Sequence, residues 1–152
     1  MIINGNGQQS RKCILIADDD ADDRELIKVA FEENAADVQI SFVENGEELL
    51  HYLHRQGKYQ EEAHYPAPSL ILLDLNMPKK DGREALRAIK EDQALKSLPI
   101  VILTTSTSNK DIAKCYELGV NSYMIKPTNF TDLIQFAGMI YSYWFNTVQL
   151  PL

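Results

Sequence analysis

Side chains that handle metal and phosphate stand at the ends of apolar runs in this sequence. Asp18, Asp19 and Asp20 follow CILIA (13–17), Asp74 closes LILLD (70–74), Thr104 and Thr105 close PIVILTT (99–105), and Lys126 follows NSYMI. Carboxylates gathered at neutral pH repel one another unless a cation relieves them. A hard divalent ion such as Mg²⁺ takes oxygen ligands and keeps several waters, and Asp18, Asp19 and Asp74 form a set of that kind. The retained positions suit phosphate oxygens, Lys126 adds a point charge for phosphate, and the Thr104 hydroxyl can bond a phosphoryl oxygen. A carboxylate nucleophile such as Asp74 then forms an acyl phosphate, a transfer that needs mainly positioning and charge neutralisation.

For these residues to meet, their apolar runs must be neighbouring strands. Each run is apolar without alternation, the mark of a strand buried on both faces. A further strand is expected over VQISFV (38–43). Helical spacing recurs between the strands, over 21–34, from Asn45 through Leu53, from Arg83 to Asp92, from Ser108 to Leu118, and from Asn129 to about Val148. Asn45 with Glu48 resembles a capping box, and Gly119 stops the fourth helix. The polar stretch RQGKYQEEAHYPAPS (55–69) is read as a long loop or helix extension, since the alternation resumes at once. Five strands alternating with five helices predict an α/β fold, one parallel five-stranded sheet doubly wound by helices. Ligands of such sheets bind outside the carboxyl ends of the strands, where these residues sit.

The 152 residues fit one domain, expected over 11–148 with short tails at 1–10 and 149–152. A net charge of −7 argues against a general nucleic-acid surface and suits protein partners or a cation held by carboxylates. No apolar run reaches the roughly 18 residues of a membrane helix, and MIINGNGQQSRK lacks a secretion-signal pattern, so no membrane role and a cytoplasmic location are expected. Cys13 and Cys115 read as reduced core thiols.

The segments ILIADDDADDREL, LILLDLNMPKKDG, IVILTTS and SYMIKP, in order and spread over nearly the whole chain, resemble the motifs of response-regulator receiver domains, whose fold is flavodoxin-like. The intervals from Asp74 to Thr104 and from Thr104 to Lys126 agree with that family. The resemblance implies an acidic pocket of Asp18 and Asp19, Asp74 as phosphoryl acceptor, and Mg²⁺ held by Asp19, Asp74 and the Asn76 carbonyl. It implies Thr104 as switch hydroxyl, Lys126 as phosphate-binding lysine, Tyr123 as the aromatic reporting the switch, and a cis peptide at Lys126–Pro127. Two departures stand out: the loop before the third strand is longer than usual, and Thr105 replaces a small residue. Asn76 and Ser106 occupy the variable positions beside the pocket. The long loop, the LTTS strand end and the terminal YSYWFNTVQLPL are similar to the stand-alone regulators of bacterial and cyanobacterial phytochromes, which implies a phytochrome histidine kinase as phosphoryl donor. No output domain is expected after the last helix, so output is expected through protein contacts, dimerisation or onward transfer.

Other readings compete. Acids favour a first helical turn, so DDDADD could be only a solvated helix start. An EF-hand beginning at Asp18 fails for want of Gly at its sixth position and Glu at its twelfth. His51 and His54 read as helix residues without a third ligand. A haloacid-dehalogenase-like phosphatase would use Asp18 and Asp20 as nucleophile and general acid, but would leave Asp74 without a role. A degenerate receiver acting only as a binding module is the third alternative. In the last helix, Phe130, Leu133, Ala137, Ile140, Trp144 and Val148 make one apolar stripe, while Phe136, Met139 and Tyr143 make a second that predicts a homodimer contact.

Overall fold

The computed structural model describes residues 12–151; the expected 1–10 tail lies outside them. Strands β1 (Cys13–Ala17), β2 (Gln39–Val43), β3 (Leu70–Leu73), β4 (Ile100–Thr104) and β5 (Ser122–Ile125) alternate with helices α1 (Ala21–Glu33), α2 (Gly46–Leu53), α3 (Gly82–Glu91), α4 (Asn109–Leu118) and α5 (Phe130–Tyr141). All strand pairs are parallel, in the order β2-β1-β3-β4-β5. The sheet grows from β1 toward β2 on one side and toward β3 on the other, so the topological switch lies between β1 and β3.

The three central strands are buried at every position, as their unbroken apolar runs require. Their side chains alternate between two cores. Ile14, Ile16, Leu70, Leu72, Val101 and Leu103 pack with α1 and α5 on one face. Leu15, Ala17, Ile71, Leu73, Ile100 and Ile102 pack with α2, α3 and α4 on the other. A slip of one residue in any central strand would exchange its two faces, so register and site geometry are fixed together.

Each helix begins at a side chain that accepts a backbone N–H of the first turn: Asp20, Asn45, Asp81, Ser108 and Asn129. Asn45 caps as expected, while Glu48 reaches back to the Glu44 amide at 3.2 Å. The long loop after α2 carries a 3-10 turn at Gly57–Gln60. Tyr52, Tyr59 and Tyr65 pack against one another, and the Tyr52 hydroxyl donates to the Pro66 carbonyl at 2.7 Å. Aromatic packing of this kind orders the loop from within. Cys13 and Cys115 are buried and unpaired, and burial pushes both thiols up, which makes them poor nucleophiles.

Three expectations are corrected. The last helix does not run unbroken to Val148: α5 ends at Tyr141 and a wider π-helical turn covers Ser142–Thr147. The Val148 amide that follows it donates to the Tyr143 carbonyl, the Thr147 hydroxyl donates to the Ser142 carbonyl, and Tyr141 stacks on Phe145. The widened turn lets both Trp144 and Phe145 lie against the core. Phe136 is buried in this chain's own core at 6% exposure, because α5 packs on α1 as well as on the sheet; Phe130, assigned to the core stripe, is exposed. Finally, no described peptide bond is cis, so Lys126–Pro127 is trans. Trans keeps its intrinsic advantage of about 0.5–1 kcal/mol before proline, and the chain still delivers Asn129 to cap α5.

Candidate functional site

The carboxyl ends of β1, β3, β4 and β5 converge through backbone hydrogen bonds. The Asp18 amide donates to Val43, the Asp74 amide to Ala17, and the Lys126 amide to Thr104, at 2.8–3.1 Å. The last of these bonds sets Lys126 beside Thr104, and the Asp74 bond sets the acceptor beside the residue that precedes Asp18.

Asp74 is buried, and each of its oxygens is engaged. Oδ1 accepts the Thr104 hydroxyl at 2.8 Å and the Asn76 amide at 3.2 Å. Oδ2 accepts the Lys126 ammonium at 2.9 Å. Lys126 also reaches Asp18 at 2.8 Å and Asp23 at 2.9 Å, so its three N–H groups meet three carboxylates. Burial pushes the Lys126 ammonium down, but the hydrogen bonds to Asp18, Asp23 and Asp74 outweigh it and hold the group charged. Burial raises Asp18, against the lowering effect of Lys126 and of the Asp20 amide. Thr104 is fully buried, so its hydroxyl has only the pocket to face.

Asp18, Asp19 and Asp74 each offer a carboxylate oxygen, and these lie within 4.8 Å of one another. The donor set is all oxygen, and Asp19 is exposed, which leaves a side open to water. Residues of this kind fit a hard divalent cation that keeps part of its hydration shell. The predicted acids, Thr104 and Lys126 are therefore brought together. Tyr123 stands beside them, its hydroxyl donating to the Ser106 carbonyl at 2.8 Å. Met139 and Tyr143 lie away from the pocket on α5 and the turn after it.

Asp20 takes no part in the pocket chemistry: its side chain caps α1 by accepting the Asp23 amide at 3.0 Å. A phosphatase needing Asp20 as general acid loses that residue, while Asp74 occupies the centre. Two contacts escaped the sequence reading. Asp23 was legible only as a helix-start acid, yet it holds Lys126. Arg83, at the start of α3, grips Asp111, in the first turn of α4, through two bonds of 2.7 Å.

Residues 14–137 match the response regulator receiver domain family. This chain belongs to that family. The response regulator Rcp1 of Synechocystis sp. is 41% identical over 140 residues, covering 92% of this chain and 93% of Rcp1. The crystal structure of the phosphorylated cyanobacterial phytochrome response regulator RcpA is 40% identical, with a TM-score of 0.85, covering 94% of this receiver and 100% of that chain. The Mn²⁺-bound form of Rcp1 gives a TM-score of 0.83 at 40% identity, covering 93% of this receiver and 99% of that chain. The shared fold is the flavodoxin-like receiver, and the protein is a signalling protein of the two-component type.

Proposed function

We propose that this receiver, over residues 11–148, accepts a phosphoryl group on Asp74 from the phosphohistidine of a histidine kinase. The observation that carries the reading is the position of Asp74. It is the acid at the middle of the strand ends whose two oxygens face Thr104, Asn76 and Lys126. An Asp74 oxygen attacks phosphorus, the new O–P bond forms as the P–N bond breaks, and the imidazole leaves with the bond's electron pair. Asp18, Asp19, Asp74 and the Asn76 carbonyl would hold Mg²⁺, which when bound neutralises charge on the phosphoryl oxygens. Lys126 takes a phosphoryl oxygen, and the Thr104 hydroxyl turns from Asp74 to another. Tyr123 follows the β4–α4 loop, so charge at Asp74 biases the surface around β4, β5 and α5. Hydrolysis of the acyl phosphate, under the influence of Asn76 and Ser106, resets the switch. The likeness to Rcp1 and RcpA supports a phytochrome kinase as donor. Buried reduced thiols fit a cytoplasmic setting.

Incubation with acetyl phosphate and Mg²⁺ should add one phosphoryl group, located on Asp74 by mass spectrometry. Asp74→Asn should lose the label and Asp20→Asn should keep it. Label on Asp18 would restore the phosphatase reading, and no label would leave a binding module.

Output through a second copy is part of the same reading. Met139 and Tyr143 are about half exposed and, with Met124 and Trp144, line an apolar hollow at the β5 edge. Phe136 belongs inside. Met139→Glu with Tyr143→Glu should shift the protein from dimer to monomer in light scattering; an unchanged dimer would remove this surface from the reading.

A further inference from the structure

Ser106 is held at both ends. Its carbonyl accepts the Tyr123 hydroxyl at 2.8 Å, and its own hydroxyl donates to Asp111 Oδ2 at 2.7 Å. The Ser108 amide in turn donates to the Ser106 hydroxyl at 3.3 Å, and the Asp111 amide to the Ser108 hydroxyl at 3.3 Å. Asp111 is itself fixed by the Arg83 guanidinium, Nε on Oδ1 and a terminal nitrogen on Oδ2. Such a two-pronged pairing constrains direction as well as distance, which a lysine could not do. The remaining nitrogen of Arg83 donates at 3.4 Å to the carbonyl of Leu75, the residue after Asp74. One side chain thus ties the loop behind the acceptor to the loop behind the switch threonine.

We propose that Arg83 and Asp111 are positioning residues for phosphoryl transfer, holding the β4–α4 loop through Ser106 so that Thr104 faces Asp74 and Tyr123 faces inward before any phosphoryl group arrives. The inference rests on the phospho-acceptor reading. With the brace intact, the loop is already in the arrangement that phosphorylation would otherwise have to select. A site competent only part of the time reacts in proportion to that fraction, so loosening the brace slows transfer without touching a reacting atom. The hydrogen bonds from Arg83, then the one from Ser106, keep the Asp111 carboxyl at about 2, so the pair is charged throughout the range in which the domain works. Protonation is therefore not the means by which the loop is released.

The test uses Arg83→Gln, Asp111→Asn and Ser106→Ala, with Lys114→Gln as control on the exposed Lys114–Glu117 pair of α4. At saturating Mg²⁺ and fixed acetyl phosphate, each brace variant should label Asp74 roughly tenfold more slowly. Hydrogen exchange at the amides of residues 105–108 should rise by about the same factor, with β1 and β3 unchanged. Arg83→Gln combined with Asp111→Asn should be no slower than either alone, since the two act as a unit. Ser106→Ala removes one hydroxyl and leaves the ion pair, so it covers the case in which a charge variant fails to fold. Parental labelling in folded variants, or faster exchange at parental labelling rates, would overturn the inference alone. An unlabelled parent would overturn the acceptor reading and this one with it.

Discussion

Lys126→Met is expected to lose about 3 kcal/mol of stability in metal-free buffer, the low end for breaking a buried ion pair. Methionine keeps the unbranched stem and removes the charge. Asp18 and Asp74, whose side chains are 2% and 7% exposed, would then face each other across the pocket with no cation between them. Asp23, at 40% exposure, can turn to solvent, and the Asp19 side is open, which keeps the loss from being larger. Mg²⁺ should recover more stability in the variant than in the parent, because the ammonium no longer competes for the same oxygens and binding to the folded state alone stabilises by mass action. Acidity should act in the same direction. Burial already raises Asp18, and losing Lys126 removes the strongest opposing effect. A carboxyl whose folded value exceeds its unfolded one favours the folded state as protons are added, so the metal-free variant should be more stable near pH 5 than near pH 7.5. Labelling of Asp74 should fall as well, for want of a cation on the phosphoryl oxygen. Urea unfolding with and without Mg²⁺ measures this. Equal Mg²⁺ effects in parent and variant would show that Lys126 does not hold the pocket together.

The contrast between Lys126 and Asp23 shows where sequence reasoning reaches and where it stops. Asp18, Asp74, Thr104 and Lys126 were legible because each follows an apolar run, and strand ends of a parallel sheet must gather on one side. Buried register leaves little freedom. Asp23 lies on a helix start, where acids are common for local reasons, and its bond to Lys126 joins residues far apart in the chain. Nothing in the spacing distinguishes it from Asp22. Arg83 and Asp111 are likewise ordinary first-turn charges until α3 and α4 are placed side by side. The phase of α5 failed differently. Its apolar residues are too dense for the period to choose a face, so Phe136, next to Ala137, read as outward although α1 covers it. The π-helical turn depends on how Tyr141, Trp144 and Phe145 find room, which a hydropathy pattern does not carry.

Gly82→Ala should be the most damaging single methyl group near the site. A Cβ on Gly82 would lie 2.1 Å from the Asp74 carbonyl oxygen, 2.7 Å from Leu75 Cα and 2.9 Å from the Asp74 carbonyl carbon. All three are backbone atoms, so no side chain can swing aside. The Gly82 amide also donates to the Leu75 carbonyl at 3.0 Å, which holds α3 against the loop leaving the acceptor. Relief requires α3 to retreat or Asp74 to move, and either spoils the approach of Thr104 and Lys126. Overpacking in a tight core typically costs 1–3 kcal/mol, and with only the Asp74–Leu75 backbone to yield about 3 kcal/mol or more is expected. Gly57 provides the comparison. It has a positive φ of 59° but open space around it, so alanine there meets strain alone, about 1 kcal/mol, and lies far from the strand ends. Urea midpoints for the two variants should separate accordingly at similar slopes. The Gly82 variant should also label Asp74 poorly under conditions where it is still folded, while the Gly57 variant labels as the parent does. A Gly82 variant within about 1 kcal/mol of the parent and fully labelled would mean that the loop after Asp74 yields more easily than overpacking against backbone allows.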